Sequence, residues 1–410
     1  MLESPRATRK GKANSWLLAI VSGGLLTLGF GSVSSHRPDP PAAPQILGDK
    51  LVIAYNDLGM HCLNDDFSEI CILPPYNTMR ATVIDRSNED PKILTTGVTV
   101  EYSIPGNTVS HTKTNFWDYA PALFGVALPL DVGLTGNGLT GSMTPTADRD
   151  WIASGIPITP ITDQGANDPY QLARVQVRQN GQVKDVTYAV IPVSWEIHCD
   201  YCHRPQNGDT VAGDILRKHD RKHGTDLMNQ KPVLCASCHA DPALGTAGVP
   251  GVSSMSSAMH SSHAKRAMPY RMRSGPAKEA CYNCHPGTQT QCLRDVHYAR
   301  GMKCEDCHGN MKAVGSPLRT AWVDEPRCGS CHHVPGHEYE QPGKLFRDSV
   351  GHKNVKCVVC HNSPHAIVPT VTAQDNEQML RVQGHVGTLD TCSACHSRAP
   401  DHPFFHRRES

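Results

Sequence analysis

Apolar and polar residues alternate at two places in the first half of the chain. Val98, Val100, Tyr102 and Ile104 stand between Thr99, Glu101 and Ser103, and Ala189, Ile191, Val193, Trp195 and Ile197 repeat the pattern. A period of two is that of a strand with one face buried. Pro192 falls inside the second run, which puts that strand at an edge or a bulge. Residues 51–55, 81–84 and 174–178 are weaker strand candidates, and glycine and proline punctuate the intervals between them. Residues 50–196 are therefore predicted to form an all-β domain, an antiparallel sandwich or a partly open barrel. Residues 125–141 hold five glycines but no Gly-Lys-Ser/Thr ending, so they read as loop and not as a phosphate cradle.

Beyond residue 197 long periodicity disappears. Residues 213–223 suit a short helix with Ile215 and Leu216 on one side and His219 and His223 on one face. A zinc-protease helix would need Glu where Asp220 stands. This region contains a single Trp (Trp322) and three Phe (Phe346, Phe404, Phe405). So few large apolar side chains would struggle to build an ordinary core.

The N-terminus has the form of an export signal. Arg6, Arg9, Lys10 and Lys12 precede an apolar stretch of 15 residues, 16–30, and Gly31, Ser32, Ser34 and Ser35 follow. The stretch is short against the roughly 20 residues of a membrane span. Residues 1–35 are thus expected to be a signal peptide, with an uncleaved N-terminal anchor as the alternative. Residues 36–49, with Pro38, Pro40, Pro41 and Pro44, read as an extended linker.

The chemistry lies in one repeated pentapeptide. Cys-x-x-Cys-His occurs seven times, at Cys199–Cys202–His203, Cys235–Cys238–His239, Cys281–Cys284–His285, Cys304–Cys307–His308, Cys328–Cys331–His332, Cys357–Cys360–His361 and Cys392–Cys395–His396. The motifs use 14 of 17 cysteines. This is the attachment pattern of c-type haem: two thiols add to the two vinyl groups and the adjacent His ligates the iron. Zinc ribbons need such cysteine pairs two by two, and an odd number of motifs, each followed by His, does not suit them. The cofactor expected is seven haem c groups, and the porphyrins would supply the missing apolar mass. Successive first cysteines lie 36, 46, 23, 24, 29 and 35 residues apart, too irregular for a strict repeat.

Residues 197–410 resemble a multihaem, here heptahaem, c-type cytochrome of the periplasmic and extracellular electron-transfer kind. The resemblance is carried by the motifs and by phrases such as Gly301-Met-Lys-Cys-Glu-Asp-Cys-His-Gly309. It implies a C-terminal domain of short helices and loops wrapped around stacked haems. It also implies an exported protein, periplasmic or outside the cell. Its partners would be redox proteins, membrane quinol-oxidising or other cytochromes, and a terminal acceptor; self-assembly into a filament is a variant. The zero formal charge gives no bias toward nucleic acid, and haem propionates would make the assembled molecule acidic.

Each iron needs a second axial ligand. From residue 198 onward there are 20 histidines, of which 13 lie outside the motifs. That supply permits bis-His ligation throughout, which closes the iron and suits electron transfer. The distal candidates are His219, His260, His263, His337, His352, His365 and His385, with His198, His223, His297, His333 and His402 in reserve; Met302 and Met311 are further options. The alternative function is a multihaem oxidoreductase acting on a nitrogen or sulfur oxyanion or hydroxylamine at one open haem. No catalytic residue can be named for it, and the Cys-x-x-Cys-Lys site of related nitrite reductases does not occur. A third reading gives the function to the β domain as a binding module. Outside the motifs, Cys62 and Cys71 are candidates for a disulfide in an exported chain. His61 is a structural His, a haem ligand or part of a metal site, Cys292 is a spare thiol, and Arg319 and Arg327 could pair with propionates or with solvent.

Overall fold

A computed structural model describes residues 48–406 apart from 206–207, 265–279, 288 and 336–338. The N-terminal basic and apolar segment, almost all of the linker, and His337 lie outside the described residues. Two antiparallel sheets form the first half. One joins β1 (Lys50–Asn56), β4 (Met79–Asp85), β5 (Lys92–Leu94), β8 (Thr144–Pro145) and β9 (Trp151–Ala153), and the other joins β6 (Thr99–Ser103), β7 (Thr140–Ser142), β10 (Leu172–Gln179) and β11 (Gln182–Val190). Val52, Ala54, Ala81 and Val83 from the first sheet meet Val100, Tyr102, Val175 and Val177 from the second in one buried cluster. This is the packing of a sandwich, with alternate residues of each strand facing inward. The helix α1 (Phe116–Phe124) seals one end with Phe116 and Trp117 against Phe67.

The run from 189 to 197 does not stay in one strand. β11 ends at Val190, and β12 (Val193–Ser194) leaves to pair in parallel with β2 (His61–Cys62). Pro192 has no N–H for the ladder, and its carbonyl instead accepts from the backbone of His61 and the Asn77 side chain. A second parallel pair, β3 (Ile70–Cys71) with β13 (Val233–Leu234), ties the first half to the second.

The second half is short helices and loops: α2 (Val211–His223), α3 (Met255–His263), α4 (Cys304–His308), α5 (Met311–Val314), α6 (Cys357–His361) and α7 (Ala373–Gln383). Thr210 caps α2 by accepting from the N–H of Gly213, and Gly224 ends it at φ 68°. None of the described helices is long and apolar enough to cross a membrane.

The two halves share buried surface. Leu51, Ile53, Tyr55 and Ile84 pack with Val358, Val359, Val368, Met379 and Val382. β1 is an edge strand, and an open edge leaves N–H and C=O groups unpaired. α7 covers it: the Gln378 amide accepts from the N–H of Ala54 at 2.8 Å and donates to its carbonyl at 2.9 Å, and Arg381 donates to the carbonyl of Val52 at 3.0 Å. A buried ion cluster lies nearby. Asp150, fully buried, accepts from Lys356 at 2.8 Å, Arg80 at 3.0 Å and Tyr55 at 3.1 Å. Arg294 and Asp375 form a second buried pair, in two-point contact at 2.6 and 3.0 Å.

Burial alone would raise the Asp150 carboxyl, but hydrogen bonds from Lys356 and Thr146 and the charge of Arg80 outweigh it and hold it below its ordinary value. A carboxylate depressed in this way contributes stability above the ordinary carboxylate range and loses it as pH falls through its folded value. Asp150→Asn should therefore destabilise the protein by about 3 kcal/mol at neutral pH, because buried Lys356 loses its close carboxylate and Arg80 keeps only Asp57. Its deficit relative to wild type should shrink in acid. Denaturant titrations of both proteins at neutral and acidic pH check this.

Candidate haem-attachment sites

Each Cys-x-x-Cys-His motif folds as a single helical turn. Five are short 3-10 turns and two are the helices α4 and α6. In five motifs the N–H of the His donates to the carbonyl of the first Cys at 2.8–3.1 Å, as in His203 to Cys199 and His396 to Cys392. Such a turn brings residues i, i+3 and i+4 to one side. Both thiols and the imidazole thus share a face, which a random coil of the same sequence would not give.

Opposite every motif His stands a second histidine. Numbering the sites in motif order, the pairs are His203 with His263, His239 with His219, His285 with His260, His308 with His365, His332 with His297, His361 with His406, and His396 with His352. Their ring centres are 5.9–6.4 Å apart in all seven. One iron between two imidazoles, each bonded at roughly 2 Å, separates the ring centres by about 6 Å. The spacing fits an iron in every pair and is too wide for ring-on-ring contact.

The ring nitrogens agree with this. Nδ1 of His203 meets Asp214 at 3.1 Å, Nδ1 of His219 meets Thr225 at 2.9 Å, and Nδ1 of His239 meets the carbonyl of Ser253 at 2.8 Å. On α3, His260 and His263 each use Nδ1 on the carbonyl four residues back, at 2.8 and 2.7 Å. Nδ1 of His297 meets Asp295 at 3.1 Å. A partner on Nδ1 orients the ring and leaves Nε2 for a metal. Burial lowers the pKa of His285, His361 and His365 to about 4, so these rings are neutral at pH 7 and able to ligate.

Five distal candidates, His219, His260, His263, His352 and His365, each stand opposite a motif His. His337 lies outside the described residues. His385 is exposed and engages both nitrogens elsewhere, Nε2 with Asp390 at 3.2 Å and Nδ1 with the carbonyl of Val386 at 3.2 Å. Two further pairs use His297, a reserve, and His406, which the sequence pattern did not single out. His406 lies ten residues beyond the last motif His, and only folding brings it to site 6. His198 stacks on Tyr201 at 4.4 Å and bonds Glu196 through Nε2.

The β half supplies no such pair. His61 is buried, with Nε2 at 2.7 Å from the carbonyl of Pro74 and its ring 6.0 Å from that of Tyr76. Cys62, Cys71 and Cys292 are all free thiols in this structure, with Cys62 and Cys71 on separate strands. Cys71 packs with Phe67 and Phe116. The Cys292 sulfur lies 3.8 Å from Nδ1 of His365. Arg327 donates to the backbone carbonyls of Glu340 and Gln341.

The sequence profile of the cytochrome c554 and c-prime family matches residues 234–309. This match supports a c-type cytochrome. The matched segment includes the motifs at Cys235, Cys281 and Cys304 and the helix α3. It accords with covalently bound haem c and with electron transfer. No curated protein and no solved structure matches the chain.

In haem-loaded protein, His406→Ala should open the position opposite His361, giving a high-spin haem that binds carbon monoxide on reduction. His385→Ala should leave the spectrum unchanged. Optical and electron paramagnetic resonance spectra of the two purified variants check the contrast.

Proposed function

We propose that this cytochrome carries seven covalently bound haem c groups, each ligated by a motif His and by the histidine paired with it, and relays electrons along them. The observation that carries the reading is the common 5.9–6.4 Å spacing of seven His–His pairs, one for each motif. Bound haem supplies a one-electron couple at each site. The protein holds both axial imidazoles in place, which leaves no coordination position for a substrate. This favours a relay over the oxidoreductase reading.

Elements shared between sites also support an order of neighbours. α2 holds Asp214, which orients His203 of site 1, and His219 of site 2. α3 holds His260 of site 3 and His263 of site 1, three residues apart. α3 packs on α5, which follows motif 4, and Ser257 donates to the carbonyl of Gly315 at 3.1 Å. The backbone N–H of Arg294 donates to the carbonyl of His365 of site 4, just ahead of His297 of site 5. Glu340 accepts from the N–H of Cys328 in site 5, while the next residue, Gln341, is bonded to Ser349, whose carbonyl accepts from Cys357 of site 6. Sites 6 and 7 exchange ligands, since His352 and His361 sit on one segment and His396 and His406 on another. These shared elements support one path, 2–1–3–4–5–6–7.

In this reading the protein is exported and works in the periplasm or outside the cell. Electrons pass from a membrane-side donor to a terminal acceptor, and sites 2 and 7 are where they enter and leave. Electrospray mass of the purified protein should exceed that of the chain by seven haems, and a reductive titration should take up seven electrons per chain, with no turnover of nitrite or hydroxylamine. Fewer haems, or turnover of either substrate, would contradict the relay.

A further inference from the structure

The segment Gly59-Met-His61-Cys62 and the spare Cys292 meet at site 4. β2 carries Cys62 and pairs with Val193–Ser194. The Ser194 hydroxyl lies 3.0 Å from that of Thr290, and the Glu196 carboxylate accepts from the N–H groups of Gln289 and Thr290 at 3.0 and 2.8 Å. Tyr170 donates to the carbonyls of Thr290 and Gln291 at 3.1 and 2.7 Å. These bonds fasten residues 289–291 alongside β12, on the side where Cys62 pairs, and Cys292 follows directly.

Cys62 is the register partner of Ser194, whose hydroxyl meets Thr290 two residues before Cys292, and burial pushes the Cys62 thiol up, with Cys292 acting in the same direction. The Cys292 sulfur is 3.8 Å from Nδ1 of His365, and a Cβ placed on Gly59 would lie 3.9 Å from the same nitrogen. Gly59 has φ +72°, which suits glycine. The ring of His365 is therefore enclosed by residues from both halves of the chain.

We propose that Cys62 and Cys292 form a disulfide that joins the β half to the seam at site 4, with Cys292 as a positioning residue for His365. The inference rests on the reading of His365 as an axial ligand. The disulfide forms by exchange with an external disulfide: two S–H bonds break, one S–S bond forms, and the external disulfide leaves as two thiols. With the bond closed, the Cys292 sulfur stays beside Nδ1 of His365 and limits rotation of the imidazole. Outer contacts of this kind orient ligands and adjust the metal's electronic state. Site 4 is the middle of the path 2–1–3–4–5–6–7, so the position bears on the whole relay.

Only three cysteines lie outside the motifs. The air-oxidised, haem-loaded protein, denatured and titrated with maleimide, should show one free thiol, rising to three after treatment with a phosphine. Peptide mapping should recover a cross-link of Cys62 to Cys292. In Cys62→Ser and in Cys292→Ser one of the seven low-spin ferric signals should shift, the same one that His365→Met alters. Three free thiols before reduction, or a cross-link of Cys62 to Cys71, would overturn the proposal, as would unmoved spectra in both serine variants. A high-spin haem in the wild type with the cross-link intact would instead overturn the ligand reading, so the two failures are distinguishable.

Discussion

The common separation of the paired imidazoles, which suits an iron between them, is the constraint on which the proposed reading of the second half depends. A turn of five residues sets one side, and it is local: two thiols and a His on one face. The other side must come from elsewhere in the chain, held about 6 Å away with its ring aimed inward. Long loops meet this demand through short anchors. α2 holds a ligand for one site and the orienting carboxylate of another, and α3 holds ligands for two. Because elements serve two pairs of histidines, the position of one pair is tied to that of its neighbour.

The sandwich gives this region a wall. A region with one Trp and three Phe gains a firm boundary from β1 and β4, which bury Leu51, Ile53 and Ile84 against α6 and α7. Gln378 and Arg381 close the edge of β1, and Lys356, directly before Cys357 of site 6, ends in the buried cluster around Asp150. The turn of site 6 is thereby fixed from behind. Arg86 extends the contact to site 7 by donating to the carbonyl of Ser393. The first half thus carries no haem motif and still braces the second, at β13 directly before Cys235 as well as behind the motifs at Cys357 and Cys392.

What the sequence disclosed follows the range of each interaction. The motifs were legible because their chemistry is contained in five adjacent residues. Strands such as β6 and β10 were legible from alternation, which records burial on one face. Histidines that stand opposite a motif His and lie close to a motif in sequence, His352 and His365, or on a short helix, His219, were nameable in advance as candidates. His406 was not, because it reaches site 6 only after the chain has passed through site 7. His385, five residues ahead of the nearest side chain that holds it, looked equivalent in sequence; its exposed ion pair with Asp390 separates it from the others. The break at Pro192 was visible as an irregularity, but the parallel pairing with β2 was not, since a two-residue strand leaves no periodic trace.

The most direct test is near-infrared magnetic circular dichroism of the fully oxidised protein, which counts haems by their axial ligands. The account predicts seven low-spin bis-His haems per chain and no high-spin or methionine-ligated band. A methionine band, or one haem in seven with an open or water-filled sixth position, would contradict it.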